Sequence, residues 1–200
     1  MECDIGMNNN IQIIKKPDWV SWDDIKQCLK DSHSVNRAKG INMTHYQWPA
    51  EKIKESLGED GFMLVALDGE KLVGTAGVGE KSGERWYANG RYGYMCFAGV
   101  LPEYSGCGIY KALVNRREEI AKSRNYQILV FDTHYKNKQV QKIALKNGYR
   151  YVRFFQAQSK DHYSVVMAKW LNGCPYTRFY CYYRYQKSKL KVLLVTRIFS

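Results

Sequence analysis

The sequence predicts an α/β fold with a mixed, mostly antiparallel central sheet flanked by helices, followed by a C-terminal helical extension. Short apolar runs typical of strands alternate with stretches of helical spacing between Ile11 and Trp170. Asp68-Gly69 and Asn89-Gly90 are turn pairs that join antiparallel strands. Beyond Leu171 an aromatic and basic pattern begins, so we expect a domain over residues 11–171 and an extension over residues 172–200.

The first half of the chain reads as two helices ahead of an antiparallel meander. Trp22, Ile25 and Leu29 recur at helical spacing, and Pro49 suits a first helical turn. In chain order we predict a strand over Ile11–Ile14, a helix over Ser21–Asp31, an irregular polar loop over Ser32–Gln47, a helix from Pro49 to Gly58, strands over Phe62–Leu67 and Lys71–Val78, and a hairpin joining Arg85–Ala88 to Arg91–Gly99.

The second half alternates helices with apolar strands. Ile109, Leu113 and Ile120 share one helix face, Asn137 can cap a short helix, and Gly148 can end it. We predict a helix over Ile109–Lys122, a buried strand over Ile128–Phe131, a helix between Asn137 and Gly148, and a last hairpin of Tyr149–Ala157 with His162–Lys169.

Composition limits the class of protein. The chain has 200 residues and is 45% hydrophobic, which is enough for one core. No window approaches the length of an apolar membrane span, and residues 1–10 read as a flexible tail rather than a signal peptide. The six cysteines are scattered without a Cys-x-x-Cys pair, so we expect reduced thiols in a cytoplasmic protein and no metal site.

The positive charge is concentrated at the C-terminal end. The formal net charge is +12, and residues 162–200 hold seven Lys or Arg and no Asp or Glu. Residues 1–161 therefore carry the remaining charge of +5. This balance suits a mildly basic domain that binds a phosphate-containing ligand, followed by a strongly basic extension.

A strand runs into a helix through a glycine turn between Val100 and Ile109. Gly106 and Gly108 lie in this turn, and Pro102 ends the strand because it cannot donate to the sheet. Backbone N–H groups at such a helix start, together with the helix dipole, form an anion site. The helix that follows carries Lys111, Arg116 and Arg117, which suit phosphate. The turn therefore predicts a phosphate-binding function.

This region resembles the GCN5-related N-acetyltransferase (GNAT) family. The family's Arg/Gln-x-x-Gly-x-Gly/Ala signature falls on residues 105–110, where Gly108 matches strictly, Ser105 replaces Arg or Gln, and Tyr110 replaces a small residue. A second block supports the resemblance, because Asn137 precedes Gly148-Tyr149 at the family's spacing. The order of elements from Ile11 to Trp170 also fits.

The resemblance implies that acetyl-coenzyme A is the co-substrate. In the family the pantetheine arm pairs with the strand before the glycine turn, and the pyrophosphate sits on the turn. The implied contacts are Ala98, Gly99, Val100, Ser105, Gly106, Cys107, Gly108, Ile109, Tyr110 and Asn137.

Side-chain catalysis is less defined. Many family members place a carboxylate on this strand as the base, but there is no Asp or Glu between Arg85 and Pro102. Tyr92 stands about where that carboxylate would be and Tyr94 shares its strand face, although packing on the core is the favoured interpretation of each. His134 has the ordinary pKa for acid–base work or is an exposed loop residue.

Two other positions bear on catalysis. Ala144 stands where many members of the family carry a tyrosine acid, and it cannot donate a proton. His45 lies in the loop that often borders the acceptor pocket and is the weakest catalytic candidate.

Three interpretations of the extension stay open. It packs as an extra helix on the domain or on a partner subunit of a homo-oligomer, it makes peripheral contact with an anionic membrane, or, least favoured, it binds nucleic acid. Under the first interpretation the cations face outward and the apolar side chains turn inward, namely Phe179, Tyr182, Tyr183, Leu190, Leu194 and Ile198.

The sequence therefore predicts an acetyl-coenzyme A-dependent N-acetyltransferase whose acceptor is a small-molecule amine, for example a metabolite or an amino sugar. The alternatives are a non-catalytic acyl-coenzyme A-binding protein and an adaptor led by the extension.

Overall fold

The computed structural model describes residues 11–41, 47–157 and 162–198, with side chains up to residue 194. The predicted tail at residues 1–10, His45 and the side chain of Ile198 lie outside the described part. The strands are β1 Ile11–Lys15, β2 Phe62–Asp68, β3 Lys71–Arg85, β4 Ala88–Val100, β5 Ile128–His134, β6 Arg150–Gln156 and β7 Tyr163–Trp170. The helices are α1 Trp22–Ser32, α2 Ser34–Ala38, α3 Ala50–Glu55, α4 Ile109–Ser123, α5 Lys138–Lys146 and α6 Arg178–Ile198.

The strands form a seven-stranded sheet in the order β1-β2-β3-β4-β5-β7-β6. The β1–β2, β2–β3, β5–β7 and β6–β7 pairs are antiparallel. The predicted fold class is therefore confirmed, with helices flanking the sheet and a helix at the C-terminal end. No helix in the described ranges is long and apolar enough to cross a membrane.

One compact unit comprises residues 1–82 and 93–126. The Ser21 hydroxyl and the Asp24 carboxylate form a capping box at the start of α1. That helix buries Ile25 and Leu29 in a core with Val65 of β2 and Phe97 of β4. The helix spacing that predicted α1 therefore also identifies its buried face.

The other compact unit comprises residues 83–92 and 127–200. In it, α6 packs against β6. Tyr185 stacks on Tyr151 with ring centroids 4.9 Å apart, and the Ser188 hydroxyl accepts a hydrogen bond from the Phe154 N–H at 2.8 Å. Tyr176, just before the start of α6, anchors that end of the helix. Its hydroxyl donates to the Trp86 carbonyl at 3.0 Å.

The structure corrects three local predictions. Asn89-Gly90 is not a hairpin turn, because β3 continues to Arg85 and Asn89-Gly90 lies inside β4, where Gly90 takes a left-handed φ of 82°. Part of the loop predicted as irregular forms α2. The described side chains expected to face inward from α6 are instead exposed, namely Phe179, Tyr182, Tyr183, Leu190 and Leu194.

Removing residues 172–200 should lower the stability of the protein. The cut strips α6 from β6 and removes the contacts of the Tyr185 ring with the rings of Tyr151 and Phe154. We expect a lower Tm and reduced solubility for a chain that ends at Leu171, while coenzyme A affinity stays unchanged. Thermal unfolding, light scattering and calorimetry check these outcomes. An unchanged Tm and hydrodynamic size per chain would contradict a structural role for α6.

Candidate active site

An irregular segment of β4, residues 97–99, precedes the glycine turn. Phe97 has a φ of 51°, which is rare for a residue with a β-carbon. Its side chain is held in the core, where the ring lies 6.2 Å from that of Trp48, centroid to centroid. A left-handed residue inside a strand redirects the backbone groups around it. The irregular segment therefore includes Ala98 and Gly99, two of the positions predicted to pair with pantetheine.

Side chains from two other elements hold the carbonyl groups of this segment. The Thr75 hydroxyl on β3 donates to the Phe97 carbonyl at 2.9 Å, and Nε2 of His33 donates to the Ala98 carbonyl at 2.9 Å. Nδ1 of His33 in turn faces the Asn36 amide nitrogen at 3.2 Å. These bonds fix the direction of both carbonyls. His33 is thus a positioning residue with its two ring nitrogens engaged.

Gly99 completes the segment by allowing close approach of the α1 end. A β-carbon at this position would lie 2.0 Å from the Ser32 Oγ and 2.8 Å from its Cβ. Only glycine permits that separation. The end of α1 therefore rests directly on β4.

The glycine turn begins with a single 3-10 turn at Pro102–Tyr104. The Ser105 N–H donates to the Pro102 carbonyl at 3.0 Å, so the turn itself uses that donor. The Tyr104 hydroxyl donates to the Asp68 carboxylate at 2.9 Å and ties the turn to the end of β2. The turn is therefore anchored before it reaches its two glycines.

Gly106 and Gly108 both take left-handed φ angles, 87° and 77°. A β-carbon at either position would meet no atom of the described residues within 4 Å, so the described part of the chain leaves the space over both glycines open. The first α4 hydrogen bond runs from the Ala112 N–H to the Gly108 carbonyl at 3.0 Å. The N–H groups of residues 109–111 precede it and have no partner within the helix. This arrangement can receive an anion such as a pyrophosphate.

The cations of α4 divide between two environments. Lys111 lies in the first turn and is exposed. Arg116 is also exposed and pairs with Glu119 at 2.9 Å. Arg117 is buried, and its guanidinium donates to the Gly77 carbonyl at 3.5 Å. The expectation that Arg117 serves phosphate is therefore wrong, because its side chain points into the core.

The cysteines differ in oxidation state. Cys107 in the turn is disulfide-bonded, so the expectation of six reduced thiols is wrong for this residue. Cys28, Cys96, Cys174 and Cys181 are free thiols. Burial raises the pKa of Cys28 and of Cys96 to about 12, which keeps both protonated and unreactive near neutral pH.

Tyr92 and Tyr94 are both half-buried on β4. Burial is the main cause that raises the pKa of Tyr92; nearby Tyr87 adds to the rise, and Arg85 opposes it. A phenol with a raised pKa keeps its proton at neutral pH. Tyr92 is therefore suited to donating a hydrogen bond or a proton rather than accepting one as a base.

His134, at the end of β5, is buried rather than exposed. Its Nδ1 accepts a hydrogen bond from the Lys136 N–H at 3.2 Å, and its ring lies 4.8 Å from the ring of His162. Burial lowers the pKa of His134, and His162 and Lys136 lower it further. At neutral pH the ring is neutral with its proton on Nε2, so this histidine is also a donor.

Asn137 caps α5, as predicted. Its side-chain oxygen accepts from the Val140 N–H at 3.5 Å, and its amide donates to the Thr133 hydroxyl at 3.3 Å. The side chain is 6% exposed and serves the fold on both sides. A coenzyme A contact by Asn137 stays a prediction.

The depressed pKa values predict how stability depends on pH. Burial lowers the pKa of His33 as it does that of His134, below the ordinary value of 6.5. Below that pH the unfolded chain binds more protons than the folded one, so acid favours unfolding. We expect the free energy of unfolding to fall as the pH drops from neutral to about 5. Urea denaturation should show a shallower fall in a His134→Gln variant; an unchanged slope would contradict the prediction.

The sequence interpretation missed His33, Thr75 and Ser32. Ser32 and His33 continue the buried face of α1, seven and eight residues after Ile25, so the helical spacing could have placed them towards the sheet. Thr75 gives no such signal, since a hydroxyl in a buried strand has many uses. Both tyrosines and His134 were predicted as site residues, and their roles stay predictions.

The family model of the acetyltransferase (GNAT) family matches residues 22–149. None of the curated protein sequences matches the chain. Solved structures of acetyltransferases share its fold at low identity, which speaks to the fold alone.

Three of these structures show the extent of the likeness. A GNAT-family acetyltransferase from Staphylococcus aureus Mu50 is 17% identical with a TM-score of 0.62, over 80% of this chain and 99% of its own. Aminoglycoside 6'-acetyltransferase type Ii is 19% identical with a TM-score of 0.61, over 82% and 99%. The ribosomal-protein-S18-alanine N-acetyltransferase of Escherichia coli is 12% identical with a TM-score of 0.58, over 82% and 96%. With the family model covering more than half of its length, this chain belongs to the GNAT acetyltransferase family.

Proposed function

We propose that the protein transfers the acetyl group of acetyl-coenzyme A to the amine of a small molecule. One observation carries the proposal: the irregular residues 97–99 lead directly into a glycine turn, and no described residue fills the space over Gly106 and Gly108. The turn supports the pyrophosphate through the N–H groups of residues 106–110, because the Ser105 N–H is already used. Ala98, Gly99 and Val100 face the pantetheine arm through their backbone.

The transfer forms a carbon–nitrogen bond and breaks the carbon–sulfur bond of the thioester. A backbone N–H near residues 97–99 stabilises the oxyanion that develops in between. His33 and Thr75 contribute by fixing the neighbouring carbonyls, which sets where that N–H points. The amine loses its proton to water, since the raised pKa of Tyr92 and the lowered pKa of His134 make both residues poor bases in this role. Coenzyme A leaves as a thiolate with the electron pair of the broken bond and takes up a proton to give the free thiol.

We propose that Tyr92, Tyr94 and His134 border the acceptor. Tyr92→Phe, Tyr94→Phe and His134→Ala should each lower turnover more than coenzyme A affinity, because each removes a donor from the reacting groups. Steady-state kinetics with an identified acceptor, together with calorimetry for coenzyme A, separates the two effects. Because His134 is buried, His134→Gln serves as a second variant that retains a polar side chain. Normal rates in all variants would remove these residues from the mechanism.

A second function has support from one observation. β4 carries no carboxylate, and the candidate side chains above are donors rather than bases. A protein of this kind can bind acyl-coenzyme A without turning it over. Measuring coenzyme A release across a panel of amines decides between the two, since tight binding without release would favour the binding protein.

The class of acceptor stays a proposal. We favour a small metabolite or an amino sugar. The similar structures include one enzyme named for an aminoglycoside and one named for a ribosomal protein. A panel that contains both amino sugars and amino-terminal peptides therefore tests the choice. Cytoplasmic localisation likewise stays a prediction.

A further inference from the structure

The outward face of α6 carries a row of exposed apolar side chains. We call this row the α6 stripe; its members are Phe179 at 79% exposure, Tyr182 at 52%, Tyr183 at 51%, Leu190 at 61%, Leu193 at 39% and Leu194 at 60%. Their spacing places all six within one third of the helix circumference. An apolar row of this length on a surface helix indicates a docking face.

The orientation of the stripe is fixed by the other side of α6. Cys181 is 1% exposed, Tyr185 stacks on Tyr151 at 4.9 Å, and Ser188 accepts the Phe154 N–H at 2.8 Å. Tyr185 also contacts Phe154 edge-on, with ring centroids 6.2 Å apart. Because this inner face is already committed to β6, the helix cannot turn the stripe inward without losing these contacts.

Cations border the stripe on both sides. By helical spacing, Lys187 and Lys191 lie along one edge and Arg178 and Lys189 along the other. Lys187, Lys191 and Arg178 are exposed. Arg184 lies further round, with its guanidinium 5.1 Å from the centre of the Trp86 ring. The helix holds six Lys or Arg and no Asp or Glu, so no acidic side chain of α6 balances these charges.

The charge decides which partner fits. A second copy of the chain would bring two such cationic borders together, which is unfavourable. A nucleic acid would satisfy the cations but offers no apolar surface for three leucines. An anionic bilayer satisfies both, since the headgroups meet the cations while the aromatic and leucine side chains enter the interface.

We propose that α6 docks the protein on an anionic phospholipid surface through the α6 stripe. The helix lies parallel to the surface, with β6 on its aqueous side. This inference is independent of the proposed acetyl transfer, because it uses no residue of the candidate active site.

The test uses the full chain and sedimentation with vesicles. Phosphatidylcholine vesicles that contain phosphatidylserine should bind the protein, and pure phosphatidylcholine vesicles should bind it at least about tenfold more weakly. A Phe179→Ser, Leu190→Ser, Leu194→Ser variant should also lose about tenfold in binding to the anionic vesicles. These side chains are exposed, so the fold should be retained, as circular dichroism can check.

Two controls sharpen the result. Trp19→Ser with Val35→Ser removes exposed apolar side chains from the other unit and should leave vesicle binding unchanged. Lys187→Gln with Lys191→Gln should weaken binding only to the anionic vesicles.

Three outcomes would overturn the proposal. One is no binding to anionic vesicles. Another is that the serine variant binds anionic vesicles as tightly as the unchanged protein does. The cations alone would then account for binding, as they would for a nucleic acid. The third is a dimer in sedimentation equilibrium that the serine variant dissociates, which would assign the stripe to a second copy of the chain.

Discussion

Gly108→Glu should abolish coenzyme A binding. The side chain would enter the open space over the turn, where the pyrophosphate is proposed to lie, and would add a like charge there. A non-glycine residue at a φ of 77° also costs about 1–2 kcal/mol of conformational energy. Isothermal calorimetry should therefore detect no binding where the unchanged protein binds.

The control for this variant is Gly173→Glu. Gly173 also has a left-handed φ, 92°, and a β-carbon there would meet no atom of the described residues within 4 Å, but it lies in the loop before α6. The substitution therefore adds the same charge and a similar backbone strain away from the turn. We expect near-normal coenzyme A affinity in this variant. Unchanged affinity in Gly108→Glu would show that the pyrophosphate binds elsewhere.

Gly99→Ala should reduce turnover strongly and destabilise the fold. The new β-carbon would lie 2.0 Å from the Ser32 Oγ and 3.3 Å from Nε2 of His33. Either α1 or β4 has to move, and the bond from His33 to the Ala98 carbonyl is lost or lengthened. Overpacking of this kind costs roughly 1–3 kcal/mol. Urea denaturation measures the loss of stability, and kcat measures the effect on the site.

A compensating change separates this contact from other effects of the alanine. Ser32→Gly removes both atoms that approach the new β-carbon most closely. The double variant Gly99→Ala, Ser32→Gly should recover much of the stability and turnover that Gly99→Ala loses, as measured against Ser32→Gly alone. If the two changes are simply additive, the approach of α1 to β4 does not control the 97–99 segment.

Much of the fold was predictable because local signals determine its elements. The Ser21 cap, the Asp68-Gly69 turn and Asn137 act on their own neighbours, and all three predicted boundaries agree with the structure. The hairpin turn predicted at Asn89-Gly90 was wrong because a left-handed glycine occurs inside a strand as well as in a turn. The face of α6 was misjudged because aromatic residues occupy both sides of that helix, so composition could not say which side meets β6.

The candidate site likewise has one part that local sequence signals predict and another that they do not. The glycine turn was predictable since a strand, two glycines and a helix are adjacent in the sequence. The contact between His33 and the Ala98 carbonyl joins residues 65 positions apart, and that between Thr75 and Phe97 spans 22. No local pattern in the sequence contains such pairings. They depend on how α1 and β3 come to lie against β4.

The same long separations bear on the order in which the protein folds. The left-handed backbone at Phe97 is unfavourable alone and is held by His33, which follows α1, and by Thr75 on β3. Closing a chain loop of 65 residues costs conformational entropy before any bond repays it. We therefore expect residues 97–99 to gain their native geometry late in refolding, after α1 has docked. On heating, the same segment should loosen ahead of global unfolding, so that catalytic competence is lost at a lower temperature than the sheet itself.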